Sequence, residues 1–86
     1  MDTKIRRIME KLASVVESRR TEMGFSQQAL AKKAGMSRTY ISEVERAERN
    51  LSISSLFKLA DALDCEASEL LQQAEAALRQ EENVRR

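Results

Sequence analysis

What is missing among the chemistry-bearing residues decides more than what is present. The 86-residue chain has no His and a single cysteine, Cys65. That removes the Ser-His-Asp triad, the Cys-His pair, the commonest general base and the usual zinc ligand sets together. One thiol closes no internal disulfide, and there is no glycine-rich phosphate loop. The carboxylates Asp61, Asp64, Glu66 and Glu69 crowd one short stretch, the only spacing that general acid–base work could use. Such runs are far more often the solvated acidic end of a helix, and we read them so. No enzymatic activity, metal or cofactor is expected.

Charge is more informative once divided along the chain. The net charge is +1, but residues 1–52 carry eleven Lys/Arg against seven Asp/Glu, whereas residues 53–86 carry four against seven. The basic surplus therefore belongs to the first two thirds, which permits nucleic-acid binding without demonstrating it.

The elements that must position these charges are helical. Pro is absent, Gly occurs twice, and Phe25, Tyr40 and Phe57 are the only aromatics besides a large aliphatic set. Ile5, Ile8, Met9, Leu12, Val15 and Val16 recur at helical spacing, which predicts a helix from about Thr3 to Met23 that Gly24 ends. Ser26 is an N-cap for a helix from Gln27 to about Ala34, and Gly35 closes it. Ser37 caps the next helix, which runs through Arg46 with Ile41 and Val44 inward. Residues 47–51 read as a loop. Ser52 then caps a helix with Ile53, Leu56, Phe57, Ala60 and Leu63 on one face. After a joint at Asp64 and Cys65, a last helix over about 66–82 carries Leu70, Leu71, Ala74, Ala77 and Leu78 before a charged tail at 83–86. There are no repeats or linkers, so residues 1–86 read as one all-α domain of five helices. A chain this short buries only about 60% of its unfolded surface, so a partner subunit is plausible on size alone. No apolar run approaches the roughly 18 residues of a membrane span, and no secretory signal is visible, so a cytoplasmic setting without membrane contact is expected.

The segment from Gln27 to Arg46 is more specific than a generic bundle. Leu30 and Ala31, then Gly35, then Ile41 and Val44 supply a small residue at a helix approach, a glycine for a sharp turn, and two branched anchors for the second helix. A helix-turn-helix at residues 27–46 needs this order.

The run FSQQALAKKAGMSRTYISEVERAERNLSISSLFKLADAL, within about Val16–Leu71, resembles the helix-turn-helix core of the phage repressor and Cro (XRE-like) superfamily. Its SRTYISEVERAERNLSI portion most resembles the controller proteins of restriction-modification systems, which are small dimeric transcription regulators without a separate effector domain. The resemblance implies a compact repressor-like fold whose second motif helix enters the major groove. It places Ser37, Arg38, Thr39, Ser42 and Glu43 at base edges. Arg38 is suited to guanine O6 and N7, Thr39 to a thymine methyl or a hydroxyl contact, and Glu43 either to cytosine N4 or to repelling phosphate at wrong sites. On the DNA backbone it places Gln27, Arg46, Arg49, Asn50 and the amides after Ser52, with Tyr40 either along the sugar-phosphate wall or covering the turn. Lys32 and Lys33 lie one turn back and read as a solvated face. The family pattern also pairs Arg20 with Glu45 as a tie between recognition helix and scaffold.

Three departures touch loop geometry. Ala47 stands where Gly is common, Leu51 where Pro is frequent, and Asp64 where Gly or Asn is usual. A left-handed turn at Ala47 would be strained, which leaves the loop's route open.

The implied function is a sequence-specific regulator that binds a pseudo-palindromic double-stranded operator as a homodimer, with RNA polymerase as a further candidate partner. The stripe of Leu70, Leu71, Ala74 and Leu78, with Phe57 or Leu63 at its edge, is expected to form the dimer interface. The alternative is a protein-interaction module, such as an antitoxin or adaptor, on the same scaffold.

Overall fold

Three serines set the rhythm of the chain. In the computed structural model, which describes residues 2–84, Ser26, Ser37 and Ser52 each accept the amide three residues on, from Ala29, Tyr40 and Ser55, at 3.0, 3.1 and 3.0 Å. Asp2 accepts from Lys4 N–H at 3.2 Å and opens the first helix. Each cap satisfies a donor that the first turn leaves unpaired. The resulting order is α1 (Thr3–Glu22), α2 (Gln27–Ala34), α3 (Arg38–Glu45), α4 (Ile53–Ala62) and α5 (Ala67–Val84).

The first four helices stop in one way. A left-handed residue lets the next amide reach back five positions: Phe25 to the Arg20 carbonyl, Met36 to Ala31, Glu48 to Glu43 and Cys65 to Ala60, at 2.8 to 3.0 Å. These are Schellman closures. The pivots are Gly24 and Gly35 at φ +77° and +69°, then Ala47 and Asp64 at +59° and +55°. The loop question at Ala47 is thereby answered, because the chain keeps the left-handed turn and tolerates a Cβ in it.

The core is aliphatic, as the composition requires. Val16 of α1, Leu30 of α2, Ile41 of α3, Leu59 of α4, the neighbouring Leu63, and Leu70 of α5 are its largest fully buried side chains. α1 and α5 run antiparallel along each other. Arg7 pairs with Glu81 at 3.2 Å near one end and Arg19 with Glu69 at 3.2 Å near the other, while Lys11 also reaches Glu81 at 3.2 Å. α2 and α3 form the helix-turn-helix and rest on α4 and α1.

Two expectations about α5 are corrected. Leu70, Ala74 and Leu78 are buried within the single chain, as is Leu63, so of the surface assigned to a partner only Leu71 and Phe57 are exposed. The helix also continues to Val84 rather than giving way to a tail at 83. Glu81 and Glu82, near this end of the helix, are held by Arg7 of α1. Residues 85–86 of the expected tail lie outside the described residues.

A non-glycine residue in the left-handed region is strained by about 1 kcal/mol or more, and glycine returns part of that as extra freedom of the unfolded chain. Ala47→Gly should therefore stabilise the fold by about 0.5 to 1 kcal/mol and raise Tm by about 2 to 6 °C for a domain of this size. Thermal unfolding followed by circular dichroism checks this, and an unchanged or lower Tm contradicts it.

Candidate nucleic-acid interface

The recognition helix α3 is only eight residues long, too short to hold its position by helix propensity. Its attachment is electrostatic as well as apolar. Ile41 and Val44 enter the core, and at the C-terminal end the Glu45 carboxylate, 2% exposed, receives Arg20 of α1 in a two-pronged contact. Arg20 Nε donates to Oε2 at 2.7 Å and Nη2 to Oε1 at 3.0 Å. The remaining Arg20 prong donates to the Phe25 carbonyl at 2.8 Å, just past the turn that ends α1. Gln27 Nε2 adds a third donor to Glu45, 3.0 Å from Oε1. The hydrogen bond that Arg20 donates to Glu45 raises the Arg20 pKa, against the opposing effect of burial, so the guanidinium is charged at every relevant pH. One carboxylate thereby joins α1, the α1–α2 turn, the start of α2 and the end of α3.

Gln27 has a partner that the sequence did not reveal. Its half-buried side-chain amide gives one of its two N–H bonds to Glu45. Main-chain amides of the first α2 turn lie beside it.

At the other end of α3, Arg38 and Thr39 are exposed, and neither side chain makes a hydrogen bond, ion pair or ring contact with another of the described residues. Ser37 is exposed as well, with its oxygen occupied by the Tyr40 amide and its hydroxyl proton still able to donate. Ser42 and Glu43 are half-buried one turn on. Arg38, Thr39 and Ser37 thus form a polar, protruding first turn, the geometry that reading base edges requires.

The loop after α3 is arranged differently from the expectation of free cations. Arg49 Nε donates to Glu43 Oε1 at 3.0 Å, and its guanidinium lies over the Tyr40 ring, 5.2 Å from the centroid. Arg46 Nη2 donates to Glu48 Oε1 at 3.1 Å. Asn50 is exposed, and Ser52 caps α4 while its hydroxyl donates to Ser55 Oγ at 3.1 Å. Lys33, read as solvated, stands over the Phe25 ring at 5.3 Å. The Arg49–Glu43 pair was not legible in advance, because a separation of six residues across a helix end matches no helical pairing rule.

The acidic joint offers little chemistry. Asp61, Asp64, Glu66 and Glu69 do meet around Cys65, but Glu69 is engaged by Arg19 and by the Glu66 amide. Burial pushes the Cys65 thiol up, which makes it a poor nucleophile. Among the described residues no group of three or more His, Cys, Asp or Glu is placed to hold a metal ion, and no helix is long and apolar enough to cross a membrane.

Comparison with known proteins places this geometry. The family described as Helix-turn-helix matches residues 16–70, which include α2, α3 and α4. The chain is 47% identical over 64 residues to control protein C.SmaI of Serratia marcescens, covering 74% of this chain and 76% of that protein. It is 37% identical over 57 residues to control protein C.BamHI of Bacillus amyloliquefaciens, covering 66% and 70%. Among solved structures, the restriction-modification controller protein C.AhdI from Aeromonas hydrophila superposes with a TM-score of 0.71 at 42% identity, covering 72% of this chain and 94% of that one. The chain therefore belongs to the helix-turn-helix family of DNA-binding regulators, of the type represented by the restriction-modification controller proteins.

Proposed function

We propose that the protein is a sequence-specific transcription regulator that binds a pseudo-palindromic duplex operator as a homodimer, in the manner of a restriction-modification controller and without catalytic activity. The observation that carries this reading is the exposed polar first turn of α3, Arg38 and Thr39, on a helix whose far end is anchored through Glu45. A rigid mount with a free, donor-rich tip is suited to reading bases, and Arg38 is the residue matched to guanine. Ser42 and Glu43 extend the reading surface. Around it, the first-turn amides of α2 and α4, with Arg46, Arg49, Asn50 and Tyr40, contact the phosphate backbone. Such a protein works in the cytoplasm, where its DNA is, with RNA polymerase as a candidate further partner.

The dimer interface follows from what the chain leaves uncovered. With Leu70, Ala74 and Leu78 buried, the apolar surface near the motif is Ile53 at 70% exposure and Phe57 at 56% on α4, with Leu71 at 38% on α5. Ile53 and Phe57 are four residues apart and share a helix face. A two-fold contact through this surface covers it on both copies and presents two recognition helices to half-sites about 34 to 36 Å apart.

Anisotropy titrations against an operator selected from a random duplex pool test the reading. Affinity should fall by about 10³ to 10⁵ between 50 and 200 mM salt if six to ten phosphates are contacted. Arg38→Ala should cost about 1 to 3 kcal/mol on the operator and relax one base pair per half-site, with random duplex little affected. Equal losses on operator and random DNA would show that Arg38 does not read bases, and salt-insensitive binding that tolerates its loss would favour a protein-docking module. For assembly, sedimentation should show a wild-type dimer and a folded Phe57→Glu monomer; a wild-type monomer at micromolar concentration refutes the interface.

A further inference from the structure

Arg49 lies beyond the recognition helix in sequence but folds back over it. Its Nε meets Glu43 Oε1 at 3.0 Å and its guanidinium covers the Tyr40 ring. Tyr40 and Glu43 are three residues apart and so share a face of α3. A cation assigned to the phosphate backbone and an acceptor assigned to a base edge therefore satisfy each other in the DNA-free protein. The neighbouring cation Arg46 does not compete for Glu43, because it is engaged by Glu48 at 3.1 Å.

We propose that the Arg49–Glu43 pair is a specificity latch: Arg49 stays on Glu43 against random duplex and moves to a phosphate only where the N4 amine of a cytosine replaces it as donor to the Glu43 carboxylate. The inference rests on the DNA-binding reading above. Its physical basis is the cost of leaving Glu43 bare. A guanidinium that swaps a carboxylate for a phosphate on an arbitrary sequence strands a negative charge in the strongly negative potential of the duplex. At a matching base pair the cytosine amine removes that penalty, because it donates where Arg49 did. The latch is also weak enough to open, since side-chain exposures of 52% for Arg49 and 28% for Glu43 put the pair among solvated ion pairs. Tyr40 supplies a platform on which the guanidinium can remain as it changes partner. In this arrangement Glu43 determines specificity and Arg49 acts through it as a positioning residue on random DNA.

The test follows the Arg49 Nε–H resonance by NMR in the full chain, free, with random duplex, and with an operator selected by the wild-type protein from a random pool. In wild type the resonance should match the free protein on random duplex and shift on the operator. In Glu43→Gln it should shift on both. Random-duplex affinity of that variant should rise about eightfold at 0.1 M salt, with a log–log salt slope steeper by about 0.9, the value for one added phosphate contact. Glu75→Gln, the same charge change on α5, should leave the slope as it is. A wild-type resonance that responds equally to both duplexes, or to neither, overturns the latch, as does an unchanged slope in Glu43→Gln. If wild type binds no duplex, the DNA-binding reading itself has failed; binding with the wrong Arg49 response overturns the latch alone.

Discussion

The Glu45 carboxylate is the constraint on which the rest of the structure depends. It is almost fully enclosed, and three donors meet it: two from Arg20 and one from Gln27. A charge so placed is expensive to desolvate and is stable only while its partners are present. Its value lies in orientation more than in stabilisation. α3 has two turns, two core anchors and a polar remainder, so packing alone leaves its tilt and rotation weakly determined. Fixing its last residue to α1 and to the first residue of α2 determines both, and with them the direction in which Arg38 and Thr39 point.

The polar surface around that mount follows the same economy. Most cations near the recognition helix are held by a nearby carboxylate or ring: Arg46 by Glu48, Arg49 by Glu43 and Tyr40, and Lys33 by Phe25. Arg38 has no such restraint among the described residues and stands exposed at the tip. The net charge of the chain is only +1, so the proposed contacts to DNA draw on local cations around α3 more than on the charge of the whole protein. Outside the helix-turn-helix match, the first half of α1 and most of α5 pack on each other and are laced by Arg7, Lys11 and Glu81, which lengthens the scaffold away from the motif.

Local chemistry was legible in the sequence wherever the partner is close in the chain. Ser26, Ser37 and Ser52 cap the helices they were expected to cap, and Gly24 and Gly35 end two of them, because capping and closure are decided within a few residues. The Arg20–Glu45 tie was visible through family resemblance alone. What periodicity leaves undetermined is the neighbour that covers an apolar face. The stripe of Leu70, Ala74 and Leu78 fits a second copy and a long α1 equally well, and α1 takes it. The same blindness to distant partners made α5 look shorter than it is, although Arg7 holds Glu81 and Glu82 near its end, and hid the contact between Gln27 and Glu45 at 3.0 Å.

The most direct test of the Glu45 anchor is a double-mutant cycle on unfolding free energy, with Arg20→Met, Glu45→Leu and the double variant measured in urea. Removing one partner leaves a buried charge without its counterion, so each single variant should lose about 3 to 5 kcal/mol, whereas an apolar pair of similar volume restores most of that loss. The account predicts a double variant more stable than either single one. Losses that simply add would contradict it, since they would mean that Arg20 and Glu45 act independently and that α3 is held by its core contacts alone.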